Sequence, residues 1–178
     1  TPSSMATRFV ASGRTGMSSA VAAGILAVGN VHGGAMEKAM EQYALWHDLS
    51  EDNRKQKIND AILNKKTIYG FGHKVYKQGD PRVRELLALV ASLGYESKYL
   101  HIKGLVEGSF SEVKGKVIPM NIDGVIALLL LDFGFDSKVS SGIFLIARSA
   151  GLVAQAHEEI KHEKPFRRVS EEIIEDLN

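Results

Sequence analysis

Apolar positions along the chain recur mostly every three to four residues, the period of a helix buried on one face. Ser3 and Ser4 can cap a first helix running through Met5, Phe9 and Val10. Residues 18–28 are rich in alanine and apolar nearly all round, which predicts a buried helix that Gly24 lets a neighbour approach closely. Gly29-Asn30 ends it. Met36, Met40, Tyr43, Ala44 and Leu45 predict a helix over 34–47, and Ser50 caps the start of another. Asp80-Pro81 suits an N-cap and first turn, followed by the apolar face Val83, Leu86, Leu87 and Val90 and a stop at Gly94. Residues 123–132 predict a buried helix. Asp136 or Ser137 caps a last long one carrying Ile143, Leu145, Ile146, Val153 and Ala156. The charged stretch 161–168 is broken by Pro165, and a short acidic helix is expected over 170–177. Lys116-Val117-Ile118 reads as a short strand or an extended linker. With only four prolines and no internal repeat, an all-α chain is expected.

Composition narrows the function classes. The 178 residues are enough for one good core, or for one domain and a smaller lobe. With 44% hydrophobic and 24% charged residues, the chain has the balance of a soluble globular protein. A net charge of +1 gives no bulk attraction to nucleic acid or to an anionic membrane. The apolar stretches 17–28 and 125–131 fall short of the roughly 20 residues of a membrane span. No cysteine is present, so disulfides and thiolate metal sites are excluded, and a cytoplasmic setting is expected.

Several segments carry chemistry. His32-Gly33-Gly34 places an imidazole just ahead of a helix start. The N-terminal dipole would depress its pKa and leave a neutral N–H donor suited to an enolate oxygen. A helix-capping loop with a solvated histidine is the plainer reading. Gly70-Phe71-Gly72-His73-Lys74 continues to Lys77 and to Arg82 on a helix's first turn. Such a loop can wrap phosphates while its histidine faces a second substrate, or it can be a basic surface loop. Asp123, before Gly124 and the apolar run 125–131, is a candidate general base or an ordinary N-cap. Arg148, inside an apolar helix, needs an anion, either a dicarboxylate ligand or an internal acid. Arg167 and Arg168 read by themselves as surface charges. His157 and His162 stand five apart, so their rings diverge on a helix and no metal site is expected.

Taken in order, His-Gly-Gly-Ala, Gly-Phe-Gly-His-x-Val-Tyr-Lys with Asp-Pro-Arg, Asn-Ile-Asp and Ala-Arg-Ser-x-Gly resemble the citrate synthase superfamily over nearly the whole chain. The resemblance implies a two-lobed all-α fold with the active site in the cleft between the lobes. Residues 1–33 and 135–178 would belong to the large domain and 34–134 would form the small domain. His32 would polarise a thioester carbonyl and stabilise its enolate, Asp123 would exchange the methyl proton, and His73 would bind the oxaloacetate carbonyl or the citryl hydroxyl. Arg82 and Arg148 would hold carboxylates. Gly70, Phe71, Gly72 and Lys74 would lie along coenzyme A. Arg167 or Arg168 would reach a neighbouring subunit's site in a homodimer or larger homo-oligomer.

The implied substrates are acetyl-CoA or citryl-CoA and oxaloacetate, with no covalently bound cofactor. Asn121-Ile122-Asp123-Gly124 and Met36 are closer to the citryl-CoA lyase module of ATP-citrate lyase than to the Asp-Phe-Tyr-Ser-Gly and Ala-Asn patterns of citrate synthase. The family's Asp-His segment would fall ahead of Thr1, so the first part of the pattern is expected to be missing from this chain. Cleavage of citryl-CoA is therefore the expected activity. Citrate or 2-methylcitrate synthesis, and a non-catalytic relative that binds CoA or a dicarboxylate, are the alternatives.

Overall fold

The computed structural model describes residues 1–168, so the acidic helix expected over 170–177 lies outside the described residues. Among the described residues the regular structure is helical. The α-helices are α1 (Pro2–Ser12), α2 (Met17–Leu26), α3 (Ala35–His47), α4 (Glu51–Leu63), α5 (Pro81–Ser92), α6 (His101–Lys114), α7 (Ile122–Asp132) and α8 (Ser140–His162), with a 3-10 turn at Ser137–Val139. Extended pairing is confined to isolated bridges. Residues 116–118 form a linker leading into one of them. Helix α6 was not anticipated by the pattern of apolar positions.

The chain divides into two units. One comprises Thr1–Gly33 with the chain from Ile143, and the other is Gly34–Gly142. The sequence reading ends the second segment at Gly134, whereas the division falls inside the first turn of α8.

In the first unit, small side chains let α1, α2 and α8 come together. Ser3, Thr7 and Ala11 lie one helical turn apart on α1 and are buried, as are Ala20 and Gly24 on α2. Ala11, Ala20 and Ala156 form one cluster, with Val10 against it. At Gly24 an added Cβ would lie 2.0 Å from Thr7 Oγ1, 2.8 Å from Leu152 Cδ1 and 3.0 Å from the Ser3 carbonyl oxygen. Helix α1 starts at Pro2 with Thr1 at its cap, and Ser3 and Ser4 do not cap it.

The expectation of a fully buried α2 is corrected. Only Ala20 and Gly24 are buried, and Leu26 is 84% exposed, because a helix apolar all round meets neighbours here along one stripe. Helix α8 with its 3-10 lead-in is long and apolar enough, by length and composition alone, to cross a membrane. Its buried Glu159 and its Arg148, Glu158 and Lys161 instead suit packing on protein.

In the second unit, α3 presents Met36, Ala39, Met40, Tyr43 and Trp46 as a buried face, and α7 packs on it with Val125 and Leu128. Helix α4 packs on α6, with Ile58, Ile62, Ile102 and Val106 all buried. Asp80 caps α5 by accepting from Arg82 N, and Asp136 caps the 3-10 turn by accepting from Lys138 N. Ser50 occupies the N-cap of α4 without making the side-chain bond expected of it.

Gly24→Ala should lower stability by about 1–3 kcal/mol, since the Ser3 backbone cannot retreat as a flexible side chain would. Thermal melting should fall by several degrees. An unchanged midpoint would show that the approach of α1 to α2 does not depend on Gly24.

Candidate active site

In the second unit the glycine loop and the start of α7 are laced together by backbone. Phe71 and Met120 form an antiparallel bridge, with Gly72 N donating to Pro119 O (2.8 Å) and Asn121 N to Gly70 O (2.9 Å). The Asn121 side chain completes the join. Its Nδ2 donates to Gly72 O (2.7 Å), and its Oδ1 accepts from Gly124 N (3.2 Å) as the cap of α7. Asn121, not Asp123, is therefore the N-cap, and Asp123 stands inside the first turn.

The contact is close enough to require glycine on both sides. A Cβ on Gly70, whose φ is +81°, would lie 2.2 Å from Tyr43 Oη and 2.5 Å from Gly124 Cα; one on Gly124 would lie 2.4 Å from Gly70 O. Tyr43 is buried beneath, and its hydroxyl donates to Tyr69 O at 2.7 Å. Burial, with the Asp123 charge adding to it, pushes the phenol well above its ordinary pKa and keeps it a neutral donor.

His73 leaves this frame with a defined tautomer. Its Nδ1 accepts from Val75 N and Tyr76 N, each at 3.1 Å, so the proton of the neutral ring sits on Nε2. The imidazole stacks on Tyr76, with centroids 4.8 Å apart. The Arg82 guanidinium lies 5.6 Å from the centre of the same phenol ring.

Asp80 does more than cap a helix. Its buried carboxylate accepts from Arg82 Nε (2.9 Å) and Nη2 (2.7 Å), and its Oδ2 also accepts from Ile122 N (3.1 Å), beside Asp123. The Arg82 hydrogen bonds hold the Asp80 carboxyl below the usual range and raise the guanidinium. Arg82 is therefore fixed on one edge and half-exposed on the other. Lys74 is exposed at the loop surface, and Phe71 packs edge-on against Tyr43, ring centres 6.3 Å apart.

The first unit holds His32 in a tight reverse turn closed by paired bonds, Gly29 N to His32 O and His32 N to Gly29 O, both 2.9 Å. Its Nε2 lies 2.8 Å from the Ser3 hydroxyl. Phe144 lies between two candidate groups. His32 meets it edge-on at 6.0 Å, and the Arg148 guanidinium sits 5.4 Å from its ring centre. Among the described residues Arg148 makes no ion pair. Desolvation, then the Arg148 charge, lower the His32 pKa and favour the neutral ring.

Arg167 is placed elsewhere. Its Nε donates to Glu159 Oε1 (3.0 Å), and its Nη2 also reaches Glu159. Glu159 is fully buried and also pairs with Arg8 (3.2 Å), which further binds Gln155 and Glu158. This network ties the end of α8 to α1, assisted by Phe166 N donating to Ser12 O. Arg168 lies over Phe166. A cavity of about 740 Å³ on α3 and α4, lined by Trp46, Leu49, Gln56 and Lys57 among others, includes none of the singled-out residues.

The second unit thus brings together His73, the 70–72 backbone, Arg82 and Asp123; the first brings together His32 and Arg148. Ser3, Asp80 and Phe144 were not singled out as site residues. Phe144 had a readable signal, since it stands one helical turn before Arg148.

This helical architecture, with its histidine loops and its aspartate at a helix start, is that of a citrate synthase-like all-α protein. The family model for citrate synthase, C-terminal domain, matches residues 1–169, and the chain belongs to that family. The solved structure of citryl-CoA lyase from Hydrogenobacter thermophilus is 37% identical with a TM-score of 0.87, covering 97% of this chain and 67% of that one. The citrate synthase of Thermoplasma acidophilum, solved with carboxymethyl coenzyme A and oxaloacetate, is 26% identical with a TM-score of 0.71, covering 96% of this chain and 46% of that one. Citrate synthase 2 of Bacillus subtilis is 30% identical over 143 residues, which are 78% of this chain. The chain spans 37% of that relative's length.

The His32 ring should titrate below 6.5, and Arg148→Ala should move its midpoint back towards 6.5 without reaching it, because burial is the larger cause. Ring-proton NMR over the acid range measures both. A wild-type midpoint at or above 6.5 would refute the lowering by burial and Arg148.

Proposed function

We propose that this chain carries the catalytic groups for cleaving citryl-CoA to acetyl-CoA and oxaloacetate through an enolate. The single observation that carries this reading is the bridge between residues 70–72 and 119–121, which holds the His73 loop beside the helix start bearing Asp123. The 37% identity to a citryl-CoA lyase supports the direction.

The steps follow from the donors. His73 donates its Nε2–H to the citryl hydroxyl oxygen, whose proton passes to solvent as the carbon–carbon bond breaks, leaving the oxaloacetate carbonyl and the enolate of acetyl-CoA. We assign the Ser3 hydroxyl as the donor to Nε2 of His32, which puts that ring's proton on Nδ1, facing the enolate oxygen. Asp123, entering as the acid, delivers its proton to the enolate carbon. Condensation runs the same path backwards, with Asp123 as base. Arg82, along its free edge, and Arg148 hold the carboxylates.

A second reading, citrate or 2-methylcitrate synthesis, is favoured by the relatives named as synthases. Supplying acetyl-CoA and oxaloacetate and following free thiol separates the two. A lyase keeps water from the thioester, so rapid thiol release with accumulating citrate would sink the cleavage reading.

The second copy of a homodimer would cover the apolar side chains left open on the first unit, among them Met5, Phe9, Leu26 and Ile146. Light scattering should show a dimer or larger; a stable monomer at micromolar concentration would count against it.

Asp123→Asn should lower turnover on the order of 10²–10⁴-fold while leaving CoA-thioester binding nearly intact. Turnover assays beside calorimetry test this. An active variant would remove Asp123 from the chemistry.

A further inference from the structure

The bridge that frames Asp123 has an open edge. Backbone N–H groups alternate in direction along an extended segment. Asn121 N points to Gly70 O, so Met120 N points the other way, off the strand-like partner the segment has among the described residues. Met120 is buried, so its N–H needs an acceptor from another element.

Glu107 of α6 supplies it. Its Oε1 accepts from Met120 N at 3.0 Å, while its Oε2 is held by Lys103 Nζ at 2.7 Å, one helical turn earlier. The Glu107 side chain is 19% exposed. Helix α6 is itself anchored on α4 through buried Ile102 and Val106. Ile122 N, the next amide not aimed at Gly70, ends on Asp80. Carboxylates from α6 and from the cap of α5 therefore grip the backbone on either side of Asn121, three residues or fewer from Asp123.

We propose that Glu107 is a positioning residue for Asp123. It sets the height of the Met120–Asn121 segment and, through it, where the first turn of α7 presents the carboxylate. The inference rests on Asp123 being the acid–base group of the proposed reaction. Glu107 is distinct from Asp80 in a way that makes it testable. Asp80 also grips Arg82, so its loss would disturb carboxylate binding directly, whereas Glu107 contacts no group proposed to touch substrate.

The test compares Glu107→Gln, Glu107→Met and Lys103→Ala in the full chain, with kcat and KM for the CoA thioester measured in the direction the unsubstituted protein turns over. Glu107→Gln keeps an oxygen for Met120 N. Glu107→Met keeps the length and loses the acceptor. The expected result is a kcat lowered at least about tenfold for Glu107→Met, since a displacement of roughly 1 Å at a reacting group can cost about 10²-fold. KM should stay within about twofold, and Glu107→Gln and Lys103→Ala should stay within about threefold of the unsubstituted protein in both parameters. Should Glu107→Met fail to fold by thermal melting, Glu107→Asp makes the same comparison, because it keeps the charge but draws the oxygen back by one methylene. Unchanged kcat in Glu107→Met or Glu107→Asp overturns the proposal, as does a loss confined to KM or an equal loss in Glu107→Gln. Asp123→Asn run alongside separates the two readings. If it is inactive while Glu107→Met is unimpaired, only the positioning role fails; if it is fully active, the reading on which that role rests fails first.

Discussion

The chemistry of the second unit depends on Gly70 and Gly124 touching backbone to backbone. A Cβ on either would enter the space of the other, and at Gly70 it would also strike the Tyr43 hydroxyl. With both glycines present, the loop carbonyl of Gly70 reaches Asn121 N, Asn121 caps α7, and the helix begins directly above the histidine loop. Tyr43 supports the arrangement from the core side, where its hydroxyl occupies the Tyr69 carbonyl. Burial that keeps this phenol protonated also keeps it a donor, so the same packing that fills the core fixes the loop.

Three acids turned inward do the work that strands would do in a sheet protein. Asp80 and Glu107 accept backbone N–H groups that the helices and the Phe71–Met120 bridge leave over, and Glu159 receives Arg8 and Arg167. A buried carboxylate is costly unless its oxygens are filled, and here each has charged or backbone donors. Hydrogen bonds to arginine hold Asp80 and Glu159 below their ordinary range. Their contribution is therefore present above the unfolded carboxylate pKa and is withdrawn as pH falls through the lowered folded values. The charges of this nearly neutral chain thus serve local architecture more than any long-range field.

The helices with a single continuous apolar stripe were legible in the sequence, as was the order of the histidine and aspartate motifs. Residues 101–114 were not. Gly104 and Gly108 interrupt the helix-forming signal, although Ile102, Val106 and Ser109 form a buried stripe once α4 is there to receive it. Asp80 was readable only as a cap, because its second partner, Ile122, lies 42 residues away. Glu107 had no local signal for the same reason. Arg167 shows the opposite failure. Its neighbours Pro165, Phe166 and Arg168 suggest surface, and it is exposed, yet it also pairs with the fully buried Glu159 eight residues earlier, a partner the spacing gave no sign of. Residues whose work is local could be read from spacing. Residues whose work is to join two segments needed the fold.

The two imidazoles are prepared by different physical means, with different consequences. His73 has its tautomer set by two backbone N–H groups of its own loop, a local device that needs no burial. His32 is kept neutral by its surroundings, through desolvation first and the Arg148 charge second. An anion seated on Arg148 would cancel part of the second effect and draw His32 towards protonation, whereas the proposed cleavage calls for a neutral donor at the enolate oxygen. The order of the two causes resolves the conflict. Because desolvation is the larger and a bound ligand adds to it, pairing Arg148 with a carboxylate does not by itself return His32 to the charged form. The edge-on contact of Phe144 helps keep that ring face dry while the same aromatic carries the guanidinium on its own surface.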